Sequence, residues 1–265
     1  MLGLLFEAAA DADVVLRFDP EETTKHGLEP GPHVAVDAEI SRDVDLCIVL
    51  GGDGTILRAL REYVGTDVPV FAVNFGEIGF LATLDPGQMR PDFAGAFDLR
   101  FEVLRLPVLE LEGTDGMRHA INDVAVHRRA GMRVAELAYE IAGETVGSAR
   151  ADALVVCTPA GSTGYNLANG GPIMAWGVEG FAISFVAAHS LAARSLVIAP
   201  DEALVVRNLS REEPVDVAVD GRPAGEIPPE GSIEVRLLSG QSSLAQLAGV
   251  SFYGRLREKF DRLSR

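Results

Sequence analysis

One stretch limits what this chain can fold into: Leu46-Cys47-Ile48-Val49-Leu50-Gly51-Gly52-Asp53-Gly54-Thr55. The continuous apolar run predicts a strand buried on both faces, as in parallel sheets covered by helices. The run stops at the glycines, and a segment of helical periodicity, Ile56 to Val64, follows at once. The turn therefore sits at the carboxyl end of a buried strand and ahead of a helix N-terminus. Open α/β sheets bind ligands at that position, and the free N–H groups of a helix start hold phosphate. Gly51, Gly52 and Gly54 leave the backbone bare, so an anionic group can come close. Asp53 is the only side chain of the turn that could act as a base or reach a metal. Capping the helix is an equal alternative for it. The spacing fits neither the P-loop, which needs a lysine after its last glycine, nor the G-x-G-x-x-G dinucleotide turn.

The chain before and after this stretch divides in two. Residues 13–18 read as a short strand and 19–32 as a polar loop with three prolines and two glycines. Residues 68–73 form the next strand, and Asn74 to Leu81 form a second strand-end turn. Strands alternating with helical segments predict a Rossmann-like, doubly wound parallel sheet over residues 1–97. From 98 to 240 the pattern becomes short strands divided by glycine turns, which predicts an all-β domain. Residues 241–265 end in a helix with Phe252, Leu256, Phe260 and Leu263 on one face. That helix can pack on either domain.

Charge and cysteine content exclude several classes. A formal charge of −16 over 265 residues argues against nucleic acid or an anionic membrane as partner. Lysine occurs only at positions 25 and 259. An acidic, lysine-poor chain suits a salt-rich cytoplasm, where screening removes self-repulsion; an ordinary acidic enzyme is the even alternative. Cys47 and Cys157 lie inside apolar runs and read as buried thiols of a reducing compartment. No apolar run approaches the ~20 residues of a membrane span, and the opening residues lack the basic start of a signal peptide. A cytoplasmic protein is expected.

Gly51-Gly52-Asp53-Gly54-Thr55 resembles the G-G-D-G-T motif of NAD kinases, which lipid kinases and 6-phosphofructokinases share more loosely. Three later stretches separate these. Asn74-Phe75-Gly76-Glu77-Ile78-Gly79-Phe80-Leu81 resembles the N-x-G-x-x-G-F-L turn of NAD kinases. Ala120 to Val126, containing Asn122-Asp123, resembles their A-L-N-[ED] strand. Asp152 to Pro172, with Thr158-Pro159-Ala160-Gly161-Ser162-Thr163-Gly164-Tyr165, resembles their nucleotide-binding segment. The four occur in family order, and the composition adds a halophilic archaeon as the expected source.

The resemblance implies an α/β domain and a β-sandwich domain (residues 98–240), with the C-terminal helix returning to the first. It implies transfer of the ATP γ-phosphoryl to the adenosine ribose 2′-hydroxyl of NAD, with Mg²⁺ or another divalent cation and no direct protein ligand to the metal. Asp53 would be the catalytic base. Gly51, Gly52, Gly54, Thr55 and Arg58 would hold ATP phosphates. NAD would meet Asp53, Gly54, Asn74, Asn122, Asp123, Arg150, Asp152, Ala160, Thr163, Gly164, Tyr165, Ala168 and Asp220. Asn122 and Asp123 suit ribose, since vicinal hydroxyls both donate and accept; without the other motifs the pair would read as a turn. Asp220-Gly221 reads first as a hairpin turn. A homodimer or homotetramer is implied. The chain departs from the pattern at Ala160, Gly164, Ala153 and Ser195, and its opening strand looks shortened. A dinucleotide-binding regulator without catalysis, or another small-molecule or lipid kinase, is the alternative reading.

Overall fold

The computed structural model describes residues 1–75, 80–83, 89–113, 116–190 and 193–263. Residues 76–79, the middle of the second strand-end turn, lie outside them. The chain forms two compact units, one of Met1–Ala59, Thr66–Leu104 and Leu244–Val250, the other of Leu60–Gly65, Arg105–Ser243 and Ser251–Arg265.

In the first unit, α1 (Leu2–Asp11) precedes a parallel pair of two-residue strands, β1 (Leu16–Arg17) and β2 (Val34–Ala35). Between them lies α2 (Pro20–His26), where the sequence suggested only loop. Asp19 caps it by accepting from Glu22 N at 2.8 Å, proline opens its first turn, and Gly27 closes it in the left-handed region at φ 57°. These are regular helix start and stop signals, masked here by the density of turn-forming residues.

β3 (Cys47–Gly51) and β4 (Pro69–Asn74) run parallel, with Gly51 opposite Asn74. The central residues of β4 are fully buried. In β3 only Val49 is buried and its neighbours are half-covered, so the burial on both faces expected of β3 is not found there. α3 (Asp53–Glu62) follows β3 after one residue, and α4 (Met89–Phe97) follows β4. Leu5, Ala9, Leu16, Phe71, Val73, Phe93, Ala96 and Ala245 form this unit's core.

The second unit is a sandwich. One sheet has the order β12-β11-β10-β7-β14-β15, formed by Leu196–Ile198, Phe181–Val186, Ala153–Cys157, Asp123–Arg128, Val215–Val219 and Arg222–Ile227, every neighbour antiparallel. Facing it, β8 (Ala135–Ile141) pairs with β9 (Glu144–Ala151) and β13 (Leu204–Asn208), and β13 pairs with β16 (Ser232–Gln246). β5 (Glu102–Gly113) pairs with β6 (Gly116–Ala120) and with β16. Alternate residues point inward, and buried side chains fill the gap, among them Val126, Leu154 and Val217 from one sheet and Leu137, Val206 and Val235 from the other. Tyr139 and Phe185 bring ring centroids within 5.6 Å across it.

The C-terminal helix α6 (Phe252–Leu263) groups with the sandwich unit. Phe252 lies edge-on to Trp176 at 5.4 Å, and the Arg255 guanidinium stands over the same indole. Its buried side chains include Phe252 and Lys259, whereas Phe260 is exposed. Among the described residues no helix is long and apolar enough to cross a membrane.

Candidate active site

The glycine turn is built as the sequence requires. Thr55 N and Ile56 N donate to Gly52 O at 3.0 and 3.1 Å, so the helix starts immediately after the strand. Phe75 N donates to Gly51 O at 3.0 Å and ties the ends of β3 and β4 together. Ile56 and Leu60 face the interior, both fully buried. Asp53 is the first residue of α3, half-buried, at the end where the helix dipole favours a negative charge. A Cβ at Gly51 would lie 2.8 Å from Thr55 Cβ, which is a packing reason for glycine there. A Cβ at Gly54 would meet nothing within 4 Å, so nothing inside the protein demands glycine at that exposed position. Arg58, expected at phosphate, extends along the exposed side of α3 to Glu21 at 3.3 Å. Such an exposed pair contributes little and dissociates readily.

In the second unit the Asn-Asp pair forms a corner. β6 ends at Ala120 and β7 begins at Asp123, so Asn122 stands before the strand and not within it. Every backbone group of the corner is occupied. The Asp220 carboxylate accepts from Ile121 N at 3.1 Å, Asn122 N at 2.8 Å and Asp123 N at 3.1 Å. Asp220 N returns a bond to Asp123 O at 2.9 Å. Thr158 donates from its hydroxyl to Ile121 O at 2.6 Å and from its N–H to Asn122 O at 2.9 Å. The side chains of Asn122 and Asp123 are therefore what the corner has left to offer. Asn122 Oδ1 is buried with no hydrogen-bond partner, and such an acceptor is costly to leave unmatched. Burial, and secondarily the charge of Asp220, push the Asp123 carboxyl up to about 7.

Asp220 and Gly221 turn β14 into β15 with φ of 45° and 73°, the type I′ geometry expected of an Asp-Gly hairpin. The Asp220 side chain is fully buried, and a fourth donor, Arg61 Nη1, reaches it at 2.7 Å. Four donors occupy the acceptor capacity of a carboxylate. Asp220, expected among the NAD contacts, thus serves the corner itself.

The segment after β10 wraps against the corner. A Cβ at Gly161 would fall 2.0 Å from Asn122 O, so any side chain there forces the backbone to shift. Gly161 N donates to Thr158 Oγ1 at 3.0 Å. Ser162 Oγ donates to Pro159 O at 2.7 Å and accepts from Met174 N at 2.9 Å. Buried Asn166 donates to Ser162 O and Pro172 O. The expected contacts Gly164, Tyr165 and Ala168 are exposed on this scaffold, Tyr165 by 42 %. Ala160 is buried, and the Thr163 hydroxyl donates to Ala160 O at 3.2 Å.

Arg150 and Asp152 lie elsewhere. In the sheet Cys157 is opposite Asp123, and Arg128 N donates to Asp152 O, so Asp152 and Asp123 occupy opposite ends of β7. Five strand steps separate these ends, about 17 Å. Asp152 accepts from Arg128 Nε at 2.6 Å. Arg150 lines a cavity of about 370 Å³ with Arg128, Arg129, Arg133 and Arg211. One chain therefore gathers Asn122, Asp123 and the 158–174 segment but leaves Arg150 and Asp152 apart. Thr158, Gly161, Ser162, Asn166 and Arg61, which hold this scaffold, are absent from the sequence-derived site. For Gly161 the glycine was a visible signal. For Arg61, which is 159 positions from its partner, there was none.

Fold and site together define a class of protein: an α/β unit with an acid-bearing glycine turn, joined to a β-sandwich unit with an Asn-Asp corner. The model of the ATP-NAD kinase N-terminal domain matches residues 5–97, and that of the ATP-NAD kinase C-terminal domain matches 121–247. The chain is 35 % identical to the NAD kinase of Lachnoclostridium phytofermentans over 83 % of this chain and 81 % of that one. It is 34 % identical to that of Gemmatimonas aurantiaca over 98 % and 90 %. In fold it matches yeast NADH kinase solved with NADH, at TM-score 0.82 and 22 % identity, covering 98 % and 83 % of the two chains. It also matches an NAD kinase from Archaeoglobus fulgidus solved with ATP, at TM-score 0.71 and 24 % identity, covering 92 % of each. The chain belongs to the NAD kinase family.

Proposed function

We propose that this NAD kinase transfers the γ-phosphoryl group of ATP to the 2′-hydroxyl of the adenosine ribose of NAD. The observation that carries the reading is kinship with curated NAD kinases along nearly the whole chain. Asp53 takes the proton of the attacking hydroxyl. The backbone of Gly51 to Thr55 receives ATP phosphates, with Arg58 released from Glu21 to join them, and the open space at Gly54 supports a ligand lying against the turn. Asn122 Oδ1 accepts from a ribose hydroxyl, which would relieve its unmatched state, and Asp123 stands beside it. The exposed ring of Tyr165 supplies a face for adenine. Mg²⁺ or another divalent ion enters as part of the nucleotide substrate, on the ATP phosphates. Among the described residues no three His, Cys, Asp or Glu side chains are grouped to hold an ion.

The separation of Asp152 and Arg150 from the corner supports a homo-oligomer in which these two residues serve the NAD bound by a second copy. A salt-rich cytoplasm, as in a halophilic archaeon, is proposed from composition alone; the curated relatives above are bacterial and lend it no support.

Purified protein given ATP, Mg²⁺ and NAD tests the reading. NADP formation is expected, and Asp53→Asn should lower kcat by roughly 10²–10⁴, the usual worth of a positioned base. NAD binding without NADP formation would favour the regulator instead. Weakened NAD binding at unchanged kcat in the variant would remove Asp53 from the base role.

A further inference from the structure

We infer that Arg61 and Asp220 form a positioning pair that sets the aim of Asn122 and Asp123 at the dinucleotide, an inference that rests on the reading above. The ion pair is short, at 2.7 Å, between a guanidinium 18 % exposed and a carboxylate wholly buried. Burying an ion pair is expensive and gives little stability in return, so its presence at this place needs a different reason. The same carboxylate receives three consecutive backbone N–H groups, from Ile121, Asn122 and Asp123. Consecutive N–H groups converge on one acceptor only when the backbone is bent into a corner, and here that bend sends two adjacent side chains from a strand end. Asp220 is itself held in the left-handed region at φ 45°, a conformation costly for most non-glycine residues but tolerated by aspartate in a type I′ turn.

Each part has a separate task. The type I′ turn delivers the carboxylate to the corner. The carboxylate holds the bend. Arg61, in the last turn of α3, neutralises the carboxylate and fixes its rotation, because its hydrogen bond shares Oδ2 with Ile121 N and leaves Oδ1 to Asn122 N and Asp123 N. On the other side, Thr158 and Gly161 close against Ile121 O and Asn122 O. A rotation of the Asp220 carboxylate would therefore swing Asn122 Oδ1, the buried acceptor without a partner. Neither Arg61 nor Asp220 need touch the substrate. Misplacing a binding group by about 1 Å costs up to 10²-fold, which sets the scale of the expected effect.

The test is steady-state kinetics with each substrate varied in turn, on the full chain. Arg61→Met should raise KM for NAD tenfold to hundredfold and leave KM for ATP within about twofold. Arg61→Lys, which keeps the charge, should recover part of the loss. Because Arg61→Met leaves a buried carboxylate unpaired and can fail to fold, the double variant Arg61→Met, Asp220→Asn removes both charges. It should melt above Arg61→Met, since no buried charge is left unpaired, but below the wild type, since the amide accepts fewer of the corner's N–H groups, and it should still show the raised KM for NAD. Unchanged KM for NAD in the folded double variant would overturn the inference. So would an equal rise in both KM values with no rescue by lysine, the mark of general loosening. Wild-type protein that makes no NADP would refute the proposed reaction, whereas active wild type with indifferent variants would refute only the positioning pair.

Discussion

Asp123→Asn makes the buried carboxylate measurable. In the folded protein the Asp123 carboxyl is raised from 3.8 to about 7, first by burial and then by the Asp220 charge. The groups facing it are Asp220, held by Arg61 and three N–H donors, and Cys157 on the adjacent strand. Between about pH 4 and pH 7 the folded chain keeps a proton that the unfolded chain releases. Raising the pH through that window therefore costs stability, and the cost is complete above pH 7. About three units at 1.36 kcal/mol each give a ceiling of roughly 4 kcal/mol. Asparagine has nearly the same shape and no charge, so it removes the cost where the cost exists. The variant should match the wild type near pH 4 and exceed it by up to about 4 kcal/mol at pH 8. Urea titrations at several pH values, followed by the fluorescence of Trp176 in the same unit, measure the difference. A gain independent of pH, or larger at pH 4 than at pH 8, would refute the reasoning.

Three further outcomes are expected. Gly161→Ala should destabilise the sandwich unit by about 1–3 kcal/mol and raise KM for NAD, because its methyl would overlap Asn122 O; a well-folded variant with normal KM would remove the close approach from the account. Mixing Asp53→Asn with Asp152→Ala subunits should restore activity that neither shows alone, provided Asp152 serves a neighbouring copy; a mixture no better than its parts would refute that arrangement. The melting temperature should rise with molar KCl, as screening relieves a charge of −16; an unchanged value would leave the protein an ordinary acidic enzyme.

Local features were legible in the sequence. The apolar run before Gly51 and the helix after it depend on neighbours, and the structure has both. The Asp220-Gly221 turn was readable for the same reason. Burial of β3 was overestimated because an apolar run does not reveal which of its faces a neighbour covers. The role of Asp220 was not readable, since its partners lie 97 to 159 positions away. Nor was the distance of Asp152 from Asn122, because motif order along a chain says nothing about which end of a strand each motif reaches. Pairing register decides that, and register emerges only when the sheet forms.

Cys157 gives the corner a clock. Its thiol is fully buried opposite Asp123, and burial with the charge of Asp123 pushes it up to about 12. A thiol so placed is almost never ionised at neutral pH and cannot meet an alkylating reagent while the sheet is closed. Its labelling rate therefore counts openings of the strand that carries Asp123. A ligand seated on Asn122 and Asp123 should slow that rate without touching the sulfur, so occupancy of the corner becomes visible as elapsed time.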